Sequence, residues 1–192
     1  MSMYNIKPDN SMGSSKGHIN LEEKIRTIPD FPKKGIMFKD ITPLLQDPQA
    51  VHYVIERFVE HYRPKHIDAV ACAESRGFIF GAMLAYEMSV PFIPLRKPGK
   101  LPYKTIRQDF ETEYSTDAFE MHIDAVKKGQ NVLVIDDLLA TGGTAKAAAD
   151  LIEKLGGKVA GLAFVIELSF LHGREKLQGY DVLTLIDYKE EA

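Results

Sequence analysis

Apolar and polar residues follow two different patterns along the chain. Short apolar runs bounded by turn residues are typical of buried strands, and apolar residues spaced three and four apart are typical of helices. The predicted strands cover residues 67–73, 90–95, 131–136, 158–168 and 181–186, and the predicted helices cover residues 48–63, 78–88 and 143–155. Strands that alternate with helices predict an α/β fold, with a mostly parallel twisted sheet that helices flank on both faces.

Proline and acidic residues mark the boundaries of the first long helix. Asp47 is a favourable N-cap residue, Pro48 suits the first helical position, and Pro64 ends the same helix. A shorter helical pattern covers residues 21–27, before Pro29 interrupts it.

The remaining segments lack this regular alternation. Residues 97–109 are rich in glycine, proline and basic residues, which predicts a mobile loop. Residues 110–114 and 118–123 alternate apolar and polar side chains, as expected for a hairpin with one solvated face. Residues 1–18 are polar and aperiodic, so we expect a disordered leader or cloning remnant there and a single domain over residues 19–192.

Composition narrows the class of protein. A chain of 192 residues with 45% hydrophobic and 27% charged residues is typical of one soluble globular domain. Its formal net charge of −3 argues against nonspecific nucleic-acid binding, and no apolar run approaches the roughly 20 residues of a membrane span. The single cysteine, Cys72, excludes an internal disulfide, fits a reducing cytoplasm and is predicted to lie in the core.

The segment 132–144 carries the strongest chemical signal. Four β-forming residues lead into two adjacent carboxylates, Asp136 and Asp137, and then into a short loop and the start of a helix. The loop residues are Ala140, Thr141, Gly142, Gly143 and Thr144. A glycine-rich turn at a helix N-terminus presents free backbone N–H groups and the positive end of the helix dipole to an anion such as phosphate.

Two interpretations of this segment differ in how they explain the carboxylates. Glycine-rich turns between a strand and a helix are common, and an aspartate there can simply cap the helix. Two adjacent aspartates after an apolar strand cost more free energy than a single capping aspartate, because at least one of them is poorly hydrated and lacks a partner. A ligand that carries hydroxyls or Mg²⁺ next to its phosphate, such as a ribose phosphate, supplies that partner.

Two other loops follow predicted strands and are expected at the same edge of the sheet, because the carboxyl ends of parallel strands meet there. Their polar residues are Ser75, Arg76, Arg96, Lys97 and Lys100. Arginine can bind a diphosphate through two parallel hydrogen bonds, and lysine adds a compact positive charge. The alternative for these cations is a solvated basic surface loop.

The segment 132–144 resembles the motif with which type I phosphoribosyltransferases bind 5-phosphoribosyl-1-pyrophosphate (PRPP). The four hydrophobic residues, the two acids and the Thr-Gly-Gly-Thr turn stand in the same register. The resemblance implies that the 5-phosphate of PRPP lies on the loop 140–144. It also implies that Asp136 and Asp137 lie near the ribose hydroxyls.

The same resemblance implies a type I phosphoribosyltransferase fold, in which a small hood covers the carboxyl edge of the sheet. Here the hood segments correspond to residues 28–45 and 97–120. The loop of Ser75 and Arg76 resembles the pyrophosphate loop of that family, in which the peptide before Ser75 is often cis. Arg96, Lys97 and Lys100 are expected to add positive charge around the same pyrophosphate.

Four further segments resemble the adenine phosphoribosyltransferases, and with the PRPP motif the similarity extends over residues 20–188. These segments are 31–45, 74–78, 96–102 and 113–114. In that family the base stacks on the aromatic that corresponds to Phe38, and backbone groups at Met37 and Lys39 read it. Arginine is usual at position 39, so the role of the Lys39 side chain is open. Glu113 is the expected acid at N7 of the base, and it lies with Tyr114 on the flexible hood.

The resemblance implies that adenine and PRPP are converted to AMP and pyrophosphate, as in purine salvage. Mg²⁺ is expected to bind mainly through the substrate and not at a dedicated protein site, and the loop 97–116 is expected to close over the site. A cytoplasmic homodimer is expected. The alternatives are a transferase for xanthine, guanine or orotate and, from another class, a regulator that binds PRPP without catalysis.

Overall fold

A parallel five-stranded sheet forms the centre of the fold. The computed structural model describes residues 19–111 and 116–191. Within them the strands are β1 (Arg26–Ile28), β2 (Phe38–Asp40), β3 (Ala69–Ala73), β4 (Phe92–Leu95), β5 (Thr105–Glu111), β6 (Thr116–His122), β7 (Asn131–Leu139), β8 (Lys158–Leu168) and β9 (Val182–Tyr188). The central sheet has the order β4-β3-β7-β8-β9, and all of its neighbouring pairs are parallel. The predicted α/β fold is therefore confirmed.

Helices cover both faces of this sheet. They are α1 (Thr42–Leu45), α2 (Pro48–Tyr62), α3 (Gly77–Met88) and α4 (Gly143–Lys154), and one-turn 3₁₀ segments occur at Glu22–Lys24, Arg63–Lys65, Ser169–Leu171 and Gly173–Leu177. The core on one face joins α2 and α3 to alternate residues of β3 and β7, including Cys72. The core on the other face joins α4 and β6 to the intervening residues of the same strands. Strands that are buried on both faces explain the continuous apolar runs in the sequence.

Local signals predicted α2 well. The Asp47 carboxylate accepts hydrogen bonds from the N–H groups of Gln49 and Ala50, at 3.0 and 3.2 Å, and Pro48 occupies the first turn. The helix ends at Tyr62, just before the one-turn segment that contains Pro64. In the described residues, no helix combines the length and apolar character needed to cross a bilayer.

Two antiparallel pairs lie beside the main sheet. Strand β1 pairs with β2, and β5 pairs with β6. The β5–β6 pair joins the edge strand of the main sheet through two backbone hydrogen bonds between Arg96 and Glu120, at 3.0 and 2.7 Å. These pairs include parts of the segments 28–45 and 97–120, which the sequence predicts as a hood.

Three predicted boundaries were wrong. Residues 21–27 form a single 3₁₀ turn and then β1, because pairing with β2 outweighs a helical pattern of only seven residues. The predicted loop 97–109 contains the first half of β5, since Thr105–Glu111 pairs with β6 along its whole length. Strand β7 continues past residue 136 to Leu139, because its pairing with β8 continues that far. The predicted leader, residues 1–18, lies outside the described residues.

Candidate active site

The carboxyl edge of the sheet brings two of the three predicted loops together around one cavity. A cavity of about 170 Å³ lies between the loop after β3 and the loop after β7. It is lined by Arg76, Asp136, Asp137, Leu138, Leu139, Ala140, Thr141, Gly142, Thr144 and Ala145. Most of the residues that the sequence predicts for a ribose phosphate therefore face a single space.

The phosphate loop (residues 140–144) depends on two glycines. Gly142 has φ +77°, which favours glycine, and it precedes α4 without any side-chain cap. A Cβ at Gly142 would overlap the carbonyl oxygen of Gly173. A Cβ at Gly143 would lie 2.5 Å from the carbonyl oxygen of Glu111. The loop is thus held between two other parts of the backbone, and the N–H groups of the first turn of α4 remain available to an anion.

The two adjacent carboxylates have different surroundings. Asp137 is only 4% exposed, and its Oδ2 lies 2.6 Å from the Nε of Arg76. This close pair lacks hydrogen-bond geometry, and among the described residues Asp137 Oδ2 has no hydrogen-bond partner. Asp136 Oδ1 accepts the N–H of Asp137 at 2.8 Å and lies beside Gly77, the first residue of α3.

Burial raises the pKa of Asp136 well above its usual value, and the neighbouring Asp137 raises it further. The raised pKa means that the ionised form of Asp136 is destabilised in this site, so a hydroxyl or a positive charge on a ligand would offset the cost of its negative charge.

A second, mostly apolar cavity of about 320 Å³ adjoins the first. It is lined by Pro32, Ile36, Met37, Phe38, Lys39, Arg76, Leu138, Ala140, Thr141, Thr144, Leu168, Phe170, Leu171 and Glu191. Arg76, Leu138 and Thr141 are among the residues that line both cavities. An apolar compartment therefore lies directly beside a polar one, which suits a ligand that has a flat base at one end and a phosphate at the other.

Phe38 and Arg76 connect the two compartments. The Phe38 ring packs edge-on against Phe31, with ring centres 5.1 Å apart. The guanidinium carbon of Arg76 lies 5.3 Å from the centre of the Phe38 ring, while its Nε reaches Asp137. Arg76 is therefore a charged link between the aromatic wall and the buried carboxylate.

The Lys39 side chain contacts neighbouring strands. It is only 5% exposed, and its ammonium donates to Thr27 Oγ1 at 3.1 Å and lies 4.1 Å from the centre of the Tyr188 ring. Burial lowers the pKa of this ammonium. Lys39 thereby connects β2 to β1 and to the end of β9. The sequence alone left the role of this side chain open.

Most of the predicted pyrophosphate cations lie outside both cavities. Arg96 pairs with Glu74, whose carboxylate also accepts the N–H of Lys97 at 3.0 Å. The Lys97 ammonium lies 3.0 Å from Asp117. The hydrogen bond from Arg96 lowers the pKa of Glu74. Glu74 and Asp117 therefore hold the basic loop (residues 96–100) away from the two cavities.

Of the five residues predicted for pyrophosphate, Arg76 alone is among those that line the two cavities described above. Ser75 is exposed, and the peptide before it is cis, as the family resemblance implies. Lys100 is also exposed, and its carbonyl oxygen accepts a hydrogen bond from Arg96 at 3.3 Å. The expected acid, Glu113, and its neighbour Tyr114 lie outside the described residues.

Several residues of the site carry no signal in the sequence. The apolar cavity takes Leu168, Phe170 and Leu171 from the end of β8 and the turn after it. Gly173 packs so tightly under the phosphate loop that a Cβ there would overlap the carbonyl oxygen of Ala140. A single glycine or leucine in a long chain gives no indication of such a contact, because the contact depends on packing between distant segments.

Another cavity, of about 510 Å³, lies between α2, β9 and the start of the described chain. Its lining includes Leu21, Tyr53 and Leu185, and contains none of the predicted site residues. Volume alone therefore does not identify the site, whereas the grouping of acids, glycines and Arg76 does.

Comparison with known proteins gives a consistent result. Residues 41–190 match the model of the phosphoribosyl transferase domain. The chain is 55% identical to adenine phosphoribosyltransferase of Maridesulfovibrio salexigens over 168 residues, which are 88% of this chain and 99% of that protein.

Solved structures are similar over the same extent. The adenine phosphoribosyltransferase of Thermoanaerobacter pseudethanolicus has a TM-score of 0.85 and 54% identity, with 88% of this chain and 98% of that one covered. The enzyme of Saccharomyces cerevisiae, crystallised with adenine and an imino-altritol bisphosphate, has a TM-score of 0.81 and 40% identity, with 86% and 96% covered.

Proposed function

The chain belongs to the phosphoribosyl transferase family and, within it, to the adenine phosphoribosyltransferases, and we propose that it converts adenine and PRPP to AMP and pyrophosphate. One observation about the site carries this proposal. The apolar cavity of about 320 Å³ lies beside the polar cavity of about 170 Å³, and Arg76 and Thr141 line both. AMP is a base joined by one bond to a ribose phosphate, so an enzyme that forms it needs these two spaces side by side.

The phosphate loop holds the 5-phosphate of PRPP. This assignment is supported by the two glycines, the uncapped start of α4 and the helix dipole, all of which favour a bound anion. Loops of this kind bind through backbone N–H groups, so the identity of Ala140 and Thr141 matters less than the path of the backbone.

Asp136 and Asp137 hold the ribose hydroxyls and stabilise the positive charge that develops at C1 of the ribose. The bond between C1 and the pyrophosphate oxygen breaks early, and its electron pair leaves with pyrophosphate. N9 of adenine then forms a bond to C1, and the ring proton that adenine loses passes to pyrophosphate or water. Two carboxylates in a partly buried cavity stabilise such a cation more strongly than they would in water. Asp137 lines the polar cavity, and its ion pair with Arg76 holds the carboxylate at the cavity wall, where a ribose hydroxyl can donate a hydrogen bond to it.

Arg76 offsets the negative charge of the departing pyrophosphate, and Ser75 lies beside it on the same loop. Arg96, Lys97 and Lys100 join them when the basic loop moves towards the substrate. Such a movement exchanges the present pairings with Glu74 and Asp117 for a pyrophosphate, which is a stronger partner for arginine. The movement also excludes water, which would otherwise hydrolyse PRPP.

Adenine stacks on Phe38, and the backbone groups of Met37 and Lys39 read its edge. The apolar lining of this cavity and the edge-on support of Phe31 favour a flat aromatic ligand. Glu113 donates a proton or a hydrogen bond to N7, with Tyr114 beside it on the hood. The assignments of Glu113 and Tyr114 rest on family resemblance alone.

The site suits Mg²⁺ bound together with PRPP. Carboxylate oxygens are the ligands that Mg²⁺ prefers, and Asp136 and Asp137 offer them next to the diphosphate position. Among the described residues, no group of three or more histidine, cysteine or acidic side chains could hold a metal by itself. When bound with the substrate, Mg²⁺ would neutralise part of the charge on the leaving diphosphate.

We also propose that the protein is a cytoplasmic homodimer. The exposed face of α3 carries Ile79 and Tyr86, the latter 85% exposed, and a second copy of the chain would cover it. The buried thiol of Cys72 needs no oxidising compartment. Light scattering after size-exclusion chromatography gives the mass in solution, and a monomer would contradict the dimer.

The test of the activity is turnover with PRPP and Mg²⁺ against adenine, hypoxanthine, guanine, xanthine and orotate, with nucleotide and pyrophosphate both detected. We expect turnover with adenine alone, and a large loss of it in Asp137→Asn. Preference for another base would overturn the assignment of the base site and leave the PRPP site standing. Saturable PRPP binding without turnover on any base would favour a regulator.

A further inference from the structure

We propose that Arg174 is a positioning residue for the phosphate loop. Arg174 follows Gly173, the residue that packs under the loop, and it fixes the turn Gly173–Leu177 to the end of β8 and the start of β9. The arginine is not among the residues that line either cavity, so its effect on the loop is indirect. This inference rests on the proposed function, because the loop is the site of the 5-phosphate of PRPP.

Gly173 forms the support beneath the loop. A Cβ on Gly142 would overlap the carbonyl oxygen of Gly173, and a Cβ on Gly173 would overlap the carbonyl oxygen of Ala140. The two backbones are therefore in contact from both sides, without side chains between them. Any shift of Gly173 must displace the loop or open a gap beneath it.

The Arg174 side chain holds this support in place through a fork of hydrogen bonds. Its Nε lies 2.7 and 2.9 Å from the two carboxylate oxygens of Glu167, and one terminal nitrogen lies 2.7 Å from the second of them. The remaining bonds reach the carbonyl oxygen of Val182 at 3.1 Å and Thr184 Oγ1 at 3.0 Å. Thr184 in turn donates to Glu167 at 2.9 Å. Because the guanidinium is planar, this arrangement of hydrogen bonds fixes both the position and the orientation of the Arg174 side chain.

Glu167 links the network to the loop by a second route. It is only 4% exposed, and in the parallel ladder it is the register partner of Leu139, the last residue of β7 before the loop. The two ends of the loop's support, Glu167 beside Leu139 and Gly173 beneath Ala140, are therefore joined by a single arginine. A buried carboxylate that loses its arginine is left without its charged partner, and a displacement of Glu167 would reach the loop through Leu139.

The prediction is a selective effect on PRPP. In Arg174→Met we expect the KM and the Kd for PRPP to rise roughly tenfold, which corresponds to about 1.4 kcal/mol, while the KM for adenine changes by less than about twofold. Arg174→Lys should recover only part of the affinity, because lysine keeps the charge and loses the fork. Thr184→Val, which removes the hydrogen bonds of Thr184 with Arg174 and with Glu167 but keeps the bonds between Arg174 and Glu167, should raise the Kd for PRPP by about two- to threefold.

Lys65→Met is the matched control. Lys65 pairs with Asp181, the residue before β9, and neither side chain lines the two site cavities or takes part in the hydrogen bonds of Arg174. This variant loses an ion pair to the same region of the chain, so it should lower the Tm without changing either KM. The comparison separates a loss of stability from a loss of loop position.

The measurements are steady-state kinetics with each substrate varied, calorimetric titration with PRPP and Mg²⁺, and thermal unfolding. A fall in Tm with equal changes in both KM values, or with none, would overturn the inference. If Arg174→Met does not fold, the same comparison is made with Thr184→Val: the KM for PRPP should rise while the KM for adenine stays unchanged. Failure of the wild-type protein to bind PRPP would instead overturn the proposed function, which keeps the two outcomes distinct.

Discussion

The phosphate half of the site is built mainly around one continuous turn of the chain, whereas the base half is gathered from several separate segments. The phosphate loop and its carboxylates occupy nine consecutive positions, 136–144, and fit closely against Gly173 and Glu111. The base cavity takes its walls from residues 32–39, 138, 168–171 and 191. We therefore expect substitutions in the phosphate half to abolish function, and substitutions in the base half to change affinity by degrees.

The largest expected effect comes from adding one methyl group to the phosphate loop. Gly142→Ala must overlap the carbonyl oxygen of Gly173 and strain a residue at φ +77°, so we expect kcat/KM to fall about a hundredfold or more. Gly129→Ala is the control, because Gly129 also has a positive φ, +84°, but a Cβ there would meet no other atom within 4 Å. Equal losses in both variants would show that backbone strain, and not loop position, is responsible.

The next effect should separate activity from stability. In Asp136→Asn we expect kcat to fall by about 10²-fold, because the carboxylate no longer stabilises positive charge at the ribose. The amide oxygen can still accept the N–H of Asp137, so the local structure should persist.

The same variant should unfold at a higher temperature than the wild type above about pH 4. The pKa of Asp136 is raised in the folded state from 3.8, so the wild type loses stability as the pH rises from 3.8 through the folded-state pKa. The variant lacks this loss, and its advantage should grow with pH over that range and then level off. Thermal unfolding of both proteins at about pH 4, 6 and 8 measures this; an advantage that shrinks with pH would contradict the assigned direction.

Substitution of the aromatic wall should have a graded effect on one substrate. Phe38→Ala removes a stacking surface worth about 1–3 kcal/mol, so the KM for adenine should rise roughly tenfold to a hundredfold. Phe38→Leu should lie between this variant and the wild type, because it retains apolar contact without the flat ring. The Kd for PRPP, measured by calorimetric titration, should remain unchanged in both. A parallel rise in that value would show that the two halves are not independent.

The smallest effect is expected at Lys39. Lys39→Met removes the hydrogen bond to Thr27 and the contact with the Tyr188 ring, which together hold β2 against β1 and β9. We expect a rise of about two- to fivefold in the KM for adenine, in line with the loss of about 0.5–1 kcal/mol. Lys39→Arg should fall closer to the wild type, since arginine can keep both contacts. A change confined to PRPP would contradict this role.

Local sequence patterns predicted the strands of the central sheet, the helices α2, α3 and α4, and the loop between β7 and α4. Asp47 and Pro48 predicted the start of α2, and the residues from Asp136 to Thr144 predicted an anion-binding loop. Both predictions were possible because capping, turn formation and anion binding each depend on a few neighbouring residues. A hairpin was predicted over residues 110–114 and 118–123, but the start of β5 at Thr105 was missed, since its pairing with β6 is a property of two segments and not of one. The functional role of each site residue stays a prediction.

The tertiary structure alone decided which distant residues share a space. It brought Phe38 and Arg76 together beside Leu168, directed Arg96 and Lys97 towards Glu74 and Asp117, and set Gly173 beneath the loop. Close packing joins segments that lie more than a hundred residues apart, and no local pattern encodes which of several glycines, leucines or arginines will meet. The sequence therefore determined the backbone half of the site, and packing of the whole chain determined the other half.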